Sequence, residues 1–267
     1  MRLNQSVRLL VLAATGIFAQ SPATRPTFNA FEVATIKPAD PASLGRYIRM
    51  QSVNRFYAKG FTLNALVAAA YSLSPRAISG GAPWADSDRY DILASTPGDV
   101  QPNLDEQMAM LRKLLTERFQ LTFHRESREL PVFAITLAKA GSKLKPSVAP
   151  PATLPELINV IYPEEKGGVH VMLPARSATI VQFAAMMQRS VLDRPVVDQT
   201  GLSGTYDFDL EWTPDENQFG GSLPRSVEST KPSLFVAMQE QLGLRLEAAR
   251  GPVQALVIDR VERPSEN

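Results

Sequence analysis

The chain contains no cysteine. Disulfides, cysteine-ligated zinc, iron–sulfur clusters, thiol nucleophiles and a lipid anchor on cysteine are therefore excluded. Histidine is scarce: 2 among 267 residues, too few for a multi-histidine metal site. Net charge is nearly absent. Lys+Arg is 28 against Asp+Glu 27, with no basic cluster, so a dedicated nucleic-acid binder is not expected. No apolar run reaches the ~20 residues that a membrane-spanning helix needs. Tryptophan occurs only at Trp84 and Trp212. The rest is ordinary globular composition, 44% hydrophobic and 21% charged, which excludes a wholly disordered chain. The length suits two domains of roughly 100–150 residues.

The most apolar run reads as an address. Arg2 and Arg8 flank a basic start, Leu9 to Ala19 is apolar or small, and Ala19 precedes Gln20. This is the pattern of a secretory signal peptide over residues 1–19. A buried helix and an uncleaved anchor are the competing readings. Cleavage removes two cations, so 26 basic residues face 27 acidic ones, a net charge of −1. An exported chain without cysteine needs no oxidative folding. Periplasmic or extracellular localisation is the expectation, with no membrane span in the mature chain.

Along the mature chain, Phe31–Ile36 and Arg55–Ala58 read as strands. Thr62 is a plausible N-cap for a helix with Leu63, Leu66, Val67 and Ala70 on one face. Arg89–Ser95 reads as a strand. A helix capped at Asn103 or Asp105 runs to about Arg118. Phe119–Phe123 alternates, is expected to turn at Glu126–Arg128, and returns at Val132–Leu137 as a hairpin. The Pro- and Ala-rich stretch after Lys145 reads as a linker, residues 146–168. The same order then recurs. Val169–Leu173 is a strand, Thr179 caps Ile180, Phe183 and Met187, and Tyr206–Trp212 is a strand. A loop follows from Asp215 to Lys231, then a helix from Ser233. Leu244–Ala248 and Val253–Val261 read as the closing hairpin.

The two passes align residue by residue. Thr62-Leu63 matches Thr179-Ile180, Tyr90-Asp91 matches Tyr206-Asp207, Phe119 and Leu121 match Leu242 and Leu244, and Pro131-Val132 matches Pro252-Val253. The expected fold is α+β and internally duplicated. Each repeat is strand-helix-strand-helix-hairpin, with helices packed on one face of mixed sheets. The repeats span residues 28–145 and 169–267.

Candidates for chemistry are few. His124 lies near Glu126 and could form an acid–base pair, but a strand-end histidine on a solvated face is the simpler reading. His170 alternates with Val169 and Val171 and is expected to be exposed. Ser79-Gly80-Gly81 and Ser203-Gly204 do not fit a nucleophile elbow. Neither glycine-rich loop continues as a phosphate-binding loop. Asp207, Asp209 and Glu211 alternate with Phe208, Leu210 and Trp212. They read as the polar face of one strand, with a Ca²⁺ site or an acidic docking strip as the functional alternative. Asp198 to Tyr206 reads as a tight turn, or as a loop facing a ligand. The candidate partner-binding residues are Trp84, Asp198, Thr200, Asp209 and Trp212. No catalytic residue, cofactor site or metal site is expected.

Five stretches carry a resemblance: FEVATIKP, SGGAPWADSDRYDILA, MLRKLLTERFQLTFHRESRELPVFAITLAKAGSKLK, DRPVVDQTGLSGTYDFDLEW and VIDRVERPSEN. Across about Phe31 to Asn267 the chain resembles a soil-associated family of exported bacterial proteins, a domain of unknown function. Some relatives carry that domain behind a membrane metallopeptidase of the β-lactam sensor type, which implies an extracytoplasmic sensing or interaction role. Each helix–hairpin repeat is also similar to the short N-terminal domain of secretins and TonB-dependent receptors. The expected function is an exported, non-catalytic binding or interaction module of the bacterial envelope, with a sensory role as the resemblance implies. Its partner would be an unknown envelope protein or small ligand, not nucleic acid. A carboxylate-dependent hydrolase acting on saccharide or peptide and a self-assembling structural protein are the alternatives. We expect intact mass of the envelope-recovered protein to place its N-terminus near Gln20; an intact Met1 would refute cleavage.

Overall fold

A computed structural model describes residues 25–41, 46–150, 153, 155–226, 229 and 231–264. The expected signal peptide lies outside these residues. In the first half, β1 (Val33–Pro38), β2 (Tyr47–Ser52) and β3 (Arg55–Thr62) lead into α1 (Leu63–Ala70). Then come β4 (Ile78–Gly80), β5 (Arg89–Ser95), α2 (Leu104–Arg118) and β6 (Thr122–Leu137). In the second half, β7 (Lys145–Pro146), β8 (Glu156–Leu157) and β9 (Val160–Pro163) precede β10 (Val169–Ala178) and α3 (Ile180–Met186). β11 (Val196–Asp198), β12 (Tyr206–Trp212), α4 (Leu234–Ala237) and β13 (Leu244–Arg260) complete the described chain. The class is α+β, as the sequence suggests. π-helical turns over Met187–Val191 and Met238–Leu242 extend α3 and α4.

Three sheets organise these elements. The first, β1-β5-β3-β2, is antiparallel throughout. The second, β7-β12-β10-β8 with β9 also on β10, is antiparallel too. Only the third, β11-β6-β13-β4, mixes directions, because β11 and β4 lie parallel to their neighbours.

That third sheet corrects the two expected hairpins. β6 does not turn at Glu126–Arg128, and β13 does not turn between Ala248 and Val253. Each runs straight, and they pair antiparallel from Leu137↔Leu244 to Thr122↔Arg260. The local reason is that Glu126-Ser127-Arg128 contains no residue suited to the positive φ of a two-residue hairpin turn. Gly251, which could have supplied it, is absent from the left-handed residues and pairs with Leu130 in the ribbon. Pro131 and Pro252 sit near this midpoint, where their missing N–H groups fall close together.

The ribbon feeds two cores. Phe133 and Ile135 of β6, with Leu244 and Leu246 of β13, join a core built on β10, β12, α3 and α4. Leu256 and Ile258 of β13 instead join the core built on β3, β5, α1 and α2, against which Phe123 of β6 also packs. Each long strand thus serves both halves. The expected linker is also corrected: β7, β8 and β9 pair with the second sheet.

Both halves interrupt a strand just before a helix, and an aspartate satisfies the break. The β3–β5 register shifts between Ala58 and Phe61, and the Gly60 N–H donates to Asp91 Oδ1 at 2.8 Å. The β10–β12 register shifts between Ala175 and Ala178, and the Ser177 N–H donates to Asp207 Oδ1 at 2.8 Å. Gly60 (φ 68°) and Ser177 (φ 50°) are both left-handed, costly for serine and cheap for glycine. Two residues on, Thr62 and Thr179 cap α1 and α3 by accepting from the Ala65 and Gln182 N–H groups. The tyrosines beside the aspartates are buried, and the Tyr206 hydroxyl donates to the Ser203 carbonyl at 2.8 Å.

Asp91 therefore has a structural duty that a solvated strand position would lack. We expect Asp91→Ala to lower stability by about 1–2 kcal/mol, as for a lost charge-assisted hydrogen bond. Asp91→Asn, which keeps an acceptor, should cost less. Urea denaturation of the two variants checks this; an unchanged Asp91→Ala would show that the break needs no acceptor.

Candidate functional site

The five candidate residues are not brought together. Trp84 sits on a short 3-10 turn, half-buried, with its ring edge-on to Tyr90 and the Arg263 guanidinium 5.1 Å from its centroid. Arg263 is held there by Asp88 at 2.9 Å. Asp198 and Thr200 form one turn: Asp198 Oδ1 accepts from the Thr200 N–H at 2.9 Å and from its hydroxyl at 2.8 Å. Thr200 is buried. Asp209 is exposed and paired with Arg176 at 2.8 Å. Trp212 is corrected as a partner contact. It is fully buried, it donates its indole N–H to Gln218 at 2.8 Å, and it stacks on Phe219. Asp209 and Trp212 point to opposite sides of β12, as a three-residue separation on a strand requires.

The two histidines differ: His124 is exposed, as the simpler reading has it, whereas His170 is half-buried. His124 Nδ1 lies 2.8 Å from Asp259 Oδ1 across the ribbon, while Glu126 pairs with Arg128. His170, expected to be exposed, is flanked by two carboxylates and stacked on Tyr162. Its Nδ1 is 3.5 Å from Glu164 Oε1 and its Nε2 is 3.3 Å from Glu211 Oε1. Lys231 closes on Glu211 at 2.8 Å. Glu164 accepts from the hydroxyls of Ser226 and Ser229. These hydrogen bonds, the Ser226 one foremost, hold the Glu164 carboxyl below its ordinary range.

This cluster is a clamp rather than an assembled nucleophile. Both serine hydroxyls donate to a carboxylate, not to the imidazole that would take their proton. What the cluster ties down is the segment after β12. That segment passes so close to the turn before β10 that a Cβ on Gly168 would lie 2.3 Å from Ser226 Cα. Sequence spacing gave no hint of it, because Glu164, Glu211 and Ser226 are far apart along the chain.

The outer face of the first sheet is not covered by any described element. Phe56, Ala58, Tyr90 and Ile92 turn inward and are buried. Alternation then sends Thr35 and Lys37 of β1, Leu93 of β5, Arg55, Tyr57 and Lys59 of β3, and Tyr47 and Arg49 of β2 outward. One row crosses all four strands: Thr35↔Leu93, Leu93↔Tyr57, Tyr57↔Arg49. Leu93, on an inner strand, is 40% exposed, so no described element covers the face. Tyr47 and Tyr57 meet edge to face at 5.8 Å, and Arg49 lies 4.8 Å over Tyr47. Desolvation and the neighbouring Asp91 carboxylate push the Tyr57 hydroxyl above its ordinary pKa, keeping it a neutral donor. Lys37, Arg49, Arg55 and Lys59 make no ion pair among the described residues.

Enclosed space is small. A cavity of about 140 Å³ lies among Phe133, Arg194, Asp215 and Phe235, below the roughly 300 Å³ at which ligand pockets begin. Among the described residues no group of three or more histidines and carboxylates is placed to hold a metal ion, and no helix is long and apolar enough to cross a membrane.

Fold and site define an α+β protein with a cationic, tyrosine-bearing sheet face. The chain belongs to the family DUF3738, described as a protein of unknown function, which it matches over residues 64–261. No curated protein and no solved structure matches the chain.

The clamp yields a prediction with a defined pH sense. Glu164 titrates below an unfolded carboxylate, so its contribution is complete above the unfolded value and fades as pH falls through the lower folded one. We expect Glu164→Ala to speed tryptic cleavage after Arg225 at neutral pH. The wild type should gain the same sensitivity only in acid, below the ordinary carboxylate range, read with an acid-active protease on the same segment. Equal cleavage rates at neutral pH would show that Glu164 does not hold the loop.

Proposed function

We propose that the protein is an exported, non-catalytic binding module of the bacterial envelope and that it binds through the outer face of the first sheet. The uncovered row Thr35, Leu93, Tyr57 and Arg49, in which neither Leu93 nor Arg49 has a partner that hides it, carries this reading. The row is exposed or half-buried on all four strands, with no described element over it. The carboxylates that a hydrolase would need are engaged elsewhere: Asp207 on a backbone N–H, Asp209 on Arg176, and Glu211 on Lys231 and His170. The signal-peptide pattern at residues 1–19 supports export.

We also infer that the two halves are copies of one repeat that have exchanged their last strands. Paired breaks at Gly60 and Ser177, caps at Thr62 and Thr179, and left-handed residues Gln120 and Gly243 before β6 and β13 all support it. So does the parallel addition of β4 to β13 and of β11 to β6.

The binding reading is tested by replacing Leu93 with Asp and screening both proteins against immobilised neutral glycans, acidic glycans, acidic peptides and basic peptides. We expect the wild type to be retained on at least one class, and the variant to lose that retention with an unchanged melting temperature. Retention that survives Leu93→Asp would overturn this face as the site.

A further inference from the structure

Resting on that reading, we propose that the outer face of the first sheet takes a linear polysaccharide bearing carboxylates, laid across the strands. The cations and the aromatic rings occur together there. Arg49 and Arg55 are exposed on the face, Lys37 flanks it on β1, and Lys59 lies beside Tyr47 in the register. An arginine without a partner offers two parallel N–H donors to a carboxylate. The one carboxylate on the face, Asp91, is already engaged by the Gly60 N–H.

Shape restricts the partner. Four strands at about 4.8 Å separation make a face only some 15 Å across, and strands of six to eight residues make it about 20–25 Å long. This is well short of the ~800 Å² that each partner gives to a standard protein–protein contact. Its exposed aliphatic content is also thin, chiefly Leu93 and Val33. A single extended chain fits the dimensions better than a globular surface.

The whole chain carries +1, and the second sheet turns Asp207, Asp209 and Glu211 outward. No long-range field therefore gathers a polyanion, so binding must rest on local contacts with the arginines and the tyrosine rings. A uronic-acid polymer carries one carboxylate per sugar, and the C–H faces of its rings can pack on tyrosine. Tyr47 and Tyr57 meet edge to face and are half-buried beside the cations, with Arg49 over one face of Tyr47.

The test uses the full mature chain and isothermal titration at two salt concentrations. Polygalacturonate is the probe, with its methyl ester, polyglutamate, oligothymidylate and anionic phospholipid vesicles beside it. We expect polygalacturonate to bind, to weaken with salt, and to lose roughly tenfold in affinity for each of Arg49→Ala and Arg55→Ala. The methyl ester, which keeps the sugars and removes the charge, should bind at least tenfold more weakly, as should polyglutamate, which keeps charge without sugar rings. Polyglutamate, oligothymidylate or vesicles binding as well as polygalacturonate would overturn the carbohydrate assignment. It would leave the binding face intact if Arg49→Ala still weakened them. Polygalacturonate binding unaffected by both arginine variants would overturn the ligand's placement and the face together. No binding by polygalacturonate would overturn the ligand class, and the face then stands or falls by the Leu93→Asp screen.

Discussion

The antiparallel pairing of β6 with β13 is the constraint on which the rest of the molecule depends. Two strands of 16 and 17 residues run side by side, a ribbon on the order of 50 Å long. Its two ends lie in different cores, so neither core is complete without chain from the other half. The halves are therefore not beads on a linker. Separating them would strip Leu256 and Ile258 from one core and Phe133 and Ile135 from the other. A break of this ribbon is a break of the whole fold, so unfolding should be cooperative across both halves rather than stepwise. The topology also places more than a hundred residues between β6 and β13. Such non-local pairing costs chain entropy before any contact rewards it, and it slows folding.

Breaks in two shorter strands place α1 and α3. Each of these helices follows its strand directly, yet a regular strand leads its last side chains away from the core. The breaks at Gly60 and Ser177 reset the alternation so that Thr62 and Thr179 arrive as caps. A break leaves a backbone N–H unpaired, and an unpaired buried donor is expensive. Asp91 and Asp207 supply the acceptor in each case, and the Ser177 N–H is the main reason that Asp207 ionises more readily than an ordinary aspartate. The Tyr-Asp pair in both halves thus combines a buried ring with an acceptor that lets the neighbouring strand bend into its helix.

Local structure was largely legible in the sequence. Arg89–Ser95 is a strand between the same residues, Thr62 and Thr179 are caps, and the helix from Asn103 ends at Arg118. These features depend on period and on capping chemistry, which neighbouring residues determine. The failures share a cause. The hairpins at Glu126–Arg128 and after Ala248 were inferred from alternation followed by polar residues, and alternation is identical in a hairpin and in a continuous strand. Only the partner strand distinguishes them, and it is over a hundred residues away. The strands β8 and β9 were hidden because a Pro-rich stretch has little pattern of its own and is held by the edge of β10. The burial of His170 is hidden from the sequence for the same reason. Its alternation with Val169 and Val171 is real, but the side it faces is covered by Tyr162 and by the segment holding Ser226 and Ser229.

The candidate face was the least legible feature, because it is made by register and not by any motif. Lys37, Arg49, Arg55 and Lys59 come from three strands and are unremarkable in a chain with nearly balanced charge. They become a surface only when β5 and β3 lie between β1 and β2. The second sheet has the corresponding outward positions on β12, but there Asp207, Asp209 and Glu211 are each held by a neighbour. In the first sheet the outward cations are left open, and that difference separates two otherwise parallel arrangements. Three of the four strands involved, β1, β2 and β3, precede residue 64, where the family match begins. Residues 64–261 include both long strands, α2, α3 and α4, and all of α1 except Leu63. The strands that complete the open face thus lie before the matched region, although β1 and β3 also supply Ile36, Phe56, Ala58 and Phe61 to the first core. Substitutions of their outward residues can change binding with little effect on either core.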